Sequence, residues 1–352
     1  MQNEVKFSSR RLMLTLMLCA CSVILLQNHS VSEHNSFTAN LLCMLAGLLV
    51  CAAALAPSII LKKRYDSDVL TLIGKSTPRL KLPFAVLYAL YFTYVAASFL
   101  LTYTDLFCDK YYPGVSPCMV GLCLLGLCVY AAYKGVNIIT RIGVFLFAFA
   151  LLTNLLLFTG SASSLELSNG SFAMSFDLRE TADTFFYFCT PAFVAALYAC
   201  TAGQTRYFRF RQPLLSLLFI AVKFALVLFF VTFSLGGYAQ RQSYQTFILS
   251  RVAHFGSFAG MESFFISLLT LSVFMIIALA LCCINRAAGK EKTLRLPVVT
   301  AVILFVINLI SEWNSSFEEL FSNSVLMLVF TLIVAVVIPA AYIWIGGKKR
   351  EA

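Results

Sequence analysis

VYAAYKGVNIITRIG, residues 129–143, places Lys134, Gly135, Asn137 and Arg141 between two long apolar runs. What flanks this interruption decides what it is. The 352-residue chain is 60% hydrophobic and 12% charged, with 33 Phe, so it lacks the polar surface that a soluble protein of this length needs. Apolar stretches of about 18 residues or more recur along it, each long enough to cross a hydrocarbon core of roughly 30 Å. The fold class is an all-α polytopic membrane protein, one integral membrane domain over residues 1–352. The quoted stretch is then a tight turn between two spans. Gly135 permits the reversal.

Spans are expected near 11–29, 38–62, 82–106, 115–132, 137–160, 182–201, 213–236, 257–285, 297–313 and 324–346. Lys and Arg accumulate on the cytoplasmic side of a membrane protein. Placing the N-terminus inside puts Lys6, Arg10, Arg11, Lys62, Lys63, Arg64, Lys75, Arg79 and Lys81 on inner segments. Lys134, Arg141, Arg206, Arg209, Arg211, Arg286, Lys290, Lys292, Arg295, Lys348, Lys349 and Arg350 join them. The outer segments keep only Lys110, Arg179, Arg241 and Arg251, and Lys223 falls inside a span. Both termini are therefore expected in the cytoplasm. Lys6, Arg10 and Arg11 precede an apolar run without a small-residue cleavage site, which reads as a retained first helix.

The net charge of +10 sits in short loops rather than on a folded basic face, so nucleic acid is not a partner; the lipid bilayer is. Outer segments are acidic, with Glu166, Asp177, Glu180, Asp183, Glu312, Glu318 and Glu319. Asn-x-Ser triplets at Asn28, Asn169 and Asn314 fall outside as well, where they matter only in a glycosylating host. Most of the twelve cysteines, among them Cys19, Cys21, Cys43, Cys51, Cys282 and Cys283, lie in apolar runs as small packing residues. Cys108 and Cys118 flank one outer loop, where a disulfide or two free thiols are both open. With three His and no ligand spacing, neither metal nor cofactor is expected.

Polar residues within the spans carry the functional reading. TFFYFCTPAFVAALYAC, residues 184–200, has Pro191 near its middle, which kinks or breaks a helix. In lipid the freed carbonyls must face protein, water or a ligand. If the break forms a site for a small charged solute, Tyr187, Cys189, Thr190 and Pro191 line it; if it is a simple kink, they pack. Lys223 sits at mid-membrane as a proton-coupling group, a cation surrogate, or a lysine satisfied by backbone carbonyls. Tyr88, Tyr91 and Tyr94 recur every three residues in the third span, one helical turn before Ser98. That stripe packs, or Tyr94 and Ser98 present hydroxyls to the bundle interior. Ser272 in the eighth span is a candidate of the same kind, and Glu262 reads as interfacial. No G-x-S-x-G, Walker A, H-E-x-x-H or paired carboxylates occur, so no enzyme is expected.

Ten spans with both ends inside, a Pro-broken sixth helix and the turn after the fourth resemble the GerAB-type spore permeases. These are the B subunits of spore germinant receptors, in the amino acid–polyamine–organocation superfamily. Tyr130, Lys134, Gly135 and Arg141 stand in the family's pattern, with Asn137 where an acidic residue is usual. Three other positions depart from it. CACSVILLQNHS carries Ser22 but no glycine where helix 1 unwinds in the family. Pro191 is followed by Ala192, Phe193 and Val194 instead of a Gly-acidic pair, and the Arg common near Met261 is missing.

The resemblance implies a LeuT-type 5+5 inverted repeat, about 11–160 and 182–346, with a ligand site between helices 1, 3, 6 and 8. Ser22, Tyr94, Ser98, Tyr187, Cys189, Thr190, Pro191 and Ser272 would line it, with Lys223 as the coupling group. It implies a sensor of a small nutrient such as an amino acid. Its partners would be an A-type membrane subunit and a C-type lipoprotein, in a spore inner membrane or bacterial cell membrane. A proton- or cation-coupled amino acid transporter on the same fold is the alternative; a scaffold with a decayed site and an unrecognised membrane enzyme are further readings.

Overall fold

The computed structural model describes residues 7–26, 36–76, 78–170, 172, 177–206, 211–255, 258–289 and 293–351. Lys6, Asn28, Arg209, Lys290, Lys292 and the expected end of helix 1 at 27–29 lie outside them. Among the described residues, ten helices are long and apolar enough to cross a membrane. They are α1 (Ser9–Leu26), α2 (Phe37–Tyr65), α3 (Lys81–Tyr111), α4 (Pro117–Lys134) and α5 (Val136–Ser164). The others are α6 (Leu178–Gln204), α7 (Arg211–Leu235), α8 (Glu262–Ala287), α9 (Arg295–Trp313) and α10 (Ser324–Trp344). Their number and order are those read from the hydropathy.

The turn at 129–143 is as tight as its composition predicts. Gly135 has φ +87°, a backbone that favours glycine, and it alone separates α4 from α5. Its N–H donates to Ala131 O and Ala132 O, closing α4, while its carbonyl accepts from Ile138 and Ile139, opening α5. The Lys134 ammonium stands 5.3 Å from the Tyr130 ring centre and 5.9 Å from that of Tyr133. The Tyr-Lys-Gly spacing thus makes a cation–π cap at the helix end.

One boundary moves. The eighth span was expected from 257 but begins at Glu262. Strands β3 (His254–Phe255) and β4 (Phe258–Ala259) pair antiparallel just before it, and Gly260 at φ +78° turns the chain into α8. Long-range bonds sort the connections into two ends. At one, β1 (Phe7–Ser8) pairs in parallel with β2 (Thr205–Arg206), joining the start of α1 to the chain after α6. Lys62, ending α2, donates to Thr205 O at 3.2 Å, and Arg286, ending α8, pairs with Asp68. At the other, the Glu166 N–H donates to Phe233 O, and Arg251 reaches both Glu262 and Lys110 O. The first is the basic end and the second the acidic end.

α1 and α6 are the buried centre of the bundle, whereas α5 and α9 leave most of their surface to lipid. α1 packs on α5, α7 and α8, α2 on α6, and α3 on α8. All twelve cysteines are thiols, none joined in a disulfide. The Cys108–Cys118 disulfide is therefore not formed; Cys118 instead donates to the Glu312 carboxylate at 3.1 Å.

Candidate functional site

α6 is interrupted where Pro191 requires it. Its first part runs Leu178–Cys189, a 3-10 turn covers Thr190–Ala192, and the helix resumes over Phe193–Thr201. Proline brings no N–H and its ring crowds the carbonyl of the turn before, so the chain tightens and moves on. Asp177 caps the entry, its side chain accepting from the Arg179 and Glu180 N–H groups. Protein, rather than open space, meets the carbonyls beside the break. The Cys51 thiol of α2 donates to Phe188 O at 3.8 Å and Cys189 O at 3.7 Å. α2 comes this close because of Gly47, where a Cβ would lie 2.8 Å from the Phe188 backbone. A cysteine read as packing thus has a directed role, satisfying backbone at a helix break.

The polar side chains Tyr187, Thr190 and Tyr198 of α6, and Ser272 on α8, are buried but unevenly satisfied. Thr190 donates back to Phe186 O at 3.5 Å. The Tyr187 and Tyr198 hydroxyls on α6 and the Ser272 hydroxyl on α8 are buried without a hydrogen-bond partner from the protein. Leaving such a hydroxyl unpaired costs about 1–3 kcal/mol, so each is a group with free capacity toward a ligand. Tyr198 was not singled out from the sequence. Its position at i+11 from Tyr187, three turns along the same helix, was the available signal.

Ser22 is turned inward on itself: its hydroxyl donates to Cys19 O at 2.7 Å within α1. α1 runs unbroken from Ser9 to Leu26. Among the described residues, the unwinding that the family resemblance implies for this helix is absent, in keeping with CACSVILL having no glycine. Lys223 is buried and donates to Cys21 O of α1 at 3.1 Å. Thr246, from the short helix Gln245–Val252, donates to Ile24 O in the turn that follows. The closing turns of α1 thus expose carbonyls to a cation and a hydroxyl, at the end where the helix dipole favours positive charge.

Helix α3 divides its tyrosines between partners. Tyr88 donates to Val334 O at 3.1 Å, and Tyr91 donates to the Thr331 hydroxyl at 2.9 Å while Thr331 donates to Met327 O, both partners being on α10. Tyr94 also faces this side. It donates to Leu320 O at 3.1 Å and stacks on Phe321 with ring centres 5.4 Å apart. Its hydroxyl is therefore engaged at the entry to α10, away from the α6 break. Ser98 is buried, and its carbonyl takes the Thr102 hydroxyl. Tyr103 and Thr270 tie α3 to α8 at 2.8 Å.

The expected residues thus fall into two groups. Ser22, Tyr187, Cys189, Thr190, Pro191, Ser272 and Lys223 sit on α1, α6, α7 and α8, while Ser98 and Tyr94 sit on α3, Tyr94 engaged where the chain enters α10. A family model described as spore germination protein matches residues 5–317, nearly the whole of this arrangement. The chain belongs to the spore germination protein family. It is a germination-related, permease-like integral membrane protein. No curated protein matches it significantly.

Proposed function

We propose that this chain is the membrane subunit of a spore germinant receptor that binds a small nutrient, such as an amino acid, beside the α6 break. The supporting observation is the trio of buried, unpartnered hydroxyls of Tyr187, Tyr198 and Ser272 on the two helices that flank α1. Family membership supplies the biological setting. The cytoplasm lies at the basic end, by the accumulation of Lys and Arg there, and the two halves form a LeuT-type inverted repeat. Occupancy shifts the population between two arrangements of α6, and A-type and C-type partner subunits read that shift.

The test is purified chain in proteoliposomes with a panel of labelled amino acids, scored for saturable binding and for time-dependent accumulation. Binding without accumulation is the expected result; accumulation overturns the sensor reading.

A coupled transporter is the second reading. The contact of Lys223 Nζ with Cys21 O favours it, because an ammonium meeting a helix carbonyl in mid-membrane can serve as a coupling group. Lys223→Met then abolishes the pH dependence of any flux, and an unchanged profile removes the coupling role.

A further inference from the structure

At the basic end, a cavity of about 300 Å³ opens between the short helix Val69–Ser76, the first turn of α3 and the last turn of α8. Lys81, Arg286 and Thr71 supply its polar wall, and Ile73, Phe84 and Ala85 much of its apolar one. Gly289, at φ +69°, lines it too, and a Cβ there would come within 3.4 Å of Lys81 Nζ. The cavity belongs to neither the α6 break nor the Lys223 contact.

Two cations face the cavity, and of these Arg286 alone has a carboxylate partner among the described residues, Asp68 just behind the wall. Arg286 Nη2 donates to Asp68 Oδ2 at 2.6 Å, and the two side chains are 6% and 1% exposed. The other Asp68 oxygen accepts the Thr71 N–H at 2.8 Å, capping the short helix. Lys81 is exposed and adds its charge at the mouth. Counting the described residues, the wall therefore keeps a net positive charge at the level where spanning helices end, the depth of lipid phosphates. Beginning one residue past Lys81, Leu82, Val86 and Leu90 repeat every four residues and are 74%, 50% and 64% exposed. Residues so spaced share one helix face. An apolar stripe thus runs from the cavity mouth into the hydrocarbon.

We propose that this cavity binds the phosphate headgroup of an anionic phospholipid, with an acyl chain lying along Leu82, Val86 and Leu90. Basic pockets between helices at the inner membrane face suit such headgroups. The site has a route to the bundle centre. Arg286 holds Asp68, and Asp68 packs on Gly203 at the end of α6, where a Cβ would come within 2.4 Å of Asp68 Oδ2. A headgroup drawing on Arg286 competes with Asp68 and loosens the end of α6.

The test uses the full chain in neutral detergent, titrated with phosphatidylglycerol or phosphatidylcholine and read by native mass spectrometry. Inorganic phosphate and glycerol phosphate are competitors, and a melting curve confirms folding of each variant. Phosphatidylglycerol binds saturably and more tightly than phosphatidylcholine. Lys81→Gln weakens it about five-fold, while Lys134→Gln, an exposed cation at the same end but outside the cavity, leaves it unchanged. Equal losses in both variants would show diffuse surface attraction and overturn the site. So would equal affinity for the two lipids. Free phosphate displacing the lipid at comparable concentration would assign the cavity to soluble oxyanions and refute the lipid.

Discussion

Among the described residues two spans are interrupted in mid-length, α6 around residue 190 and α10 around residue 335, and they are held open in opposite ways. In α6 the break is a tightening to a 3-10 turn at Pro191, and in α10 it is a widening to a π-turn over Ile333–Val337. The second also has a proline behind it. Pro339 cannot donate to Ala335 O and would crowd it, and the chain gives way one turn earlier. The Ile338 N–H then bonds to Ile333 O, which releases Val334 O to accept the Tyr88 hydroxyl. A thiol from α2 steadies the first break, a phenol from α3 the second. Thiol bonds are weak, so α6 depends on packing and on its anchored end, whereas α10 is pinned at the bulge itself. The family match, residues 5–317, includes α6 and stops before α10.

The comparison breaks most severely at the anchor of α6. Asp68→Ala leaves Arg286 buried without its carboxylate and is expected to cost about 3–5 kcal/mol. Equilibrium unfolding in mixed detergent measures it. Replacing both, as Asp68→Leu with Arg286→Met, recovers most of the loss. If the single variant unfolds like wild type, the pair does not anchor α6. Next in size is Gly47→Val, which forces α2 off the Phe188 backbone at a cost of about 1–3 kcal/mol. Because α2 also carries Cys51, the α6 break loses its thiol with the same substitution, and ligand binding should fall with stability.

Tyr88→Phe sharpens the contrast from the other side. It removes one hydroxyl and strands Val334 O in a dry interior, an expected loss of about 1–3 kcal/mol. Cys51→Ala, the matching deletion at α6, should cost less than Tyr88→Phe. The reverse order would show that the thiol, and not the packing around Gly47, fixes the first break.

How far these features were legible follows from their range. Gly135 and Pro191 act through their own backbone, so the α4–α5 turn and the α6 break could be read locally. Pro339 was equally local, yet it lay in an apolar run that reads as one smooth helix. Contacts between distant segments left no trace. Nothing near Asp68 points to Arg286, 218 residues away, and nothing in the tyrosine stripe shows that Tyr94 turns to Leu320. In the candidate site, residue type identified Tyr187 and Ser272 as polar groups in oil. It could not show that Ser22 bonds its own helix while those two keep free hydroxyls.

The smallest expected effect lies at the acidic end, where the chain enters α10 through the helix Ser315–Ser322. Burial lifts the Glu318 carboxyl above its ordinary value of 4.5, and Asp105, Asp109 and Glu319 push it the same way. Tyr244 gives no relief. Burial and the Asp105 charge raise its phenol, so it stays protonated and spends its proton on Asp105. An acid whose folded pKa is raised makes no difference to stability below its unfolded value, where both states are neutral. As pH climbs past 4.5 the unfolded chain ionises first and stability falls. The loss is complete once the folded carboxyl has also ionised. Glu318→Gln should therefore match wild type at low pH and exceed it near neutrality, by a margin smaller than any of the losses above. Melting temperatures across that range decide the matter. An unchanged slope in the variant would mean that the four carboxylates share the penalty too evenly for Glu318 to carry it.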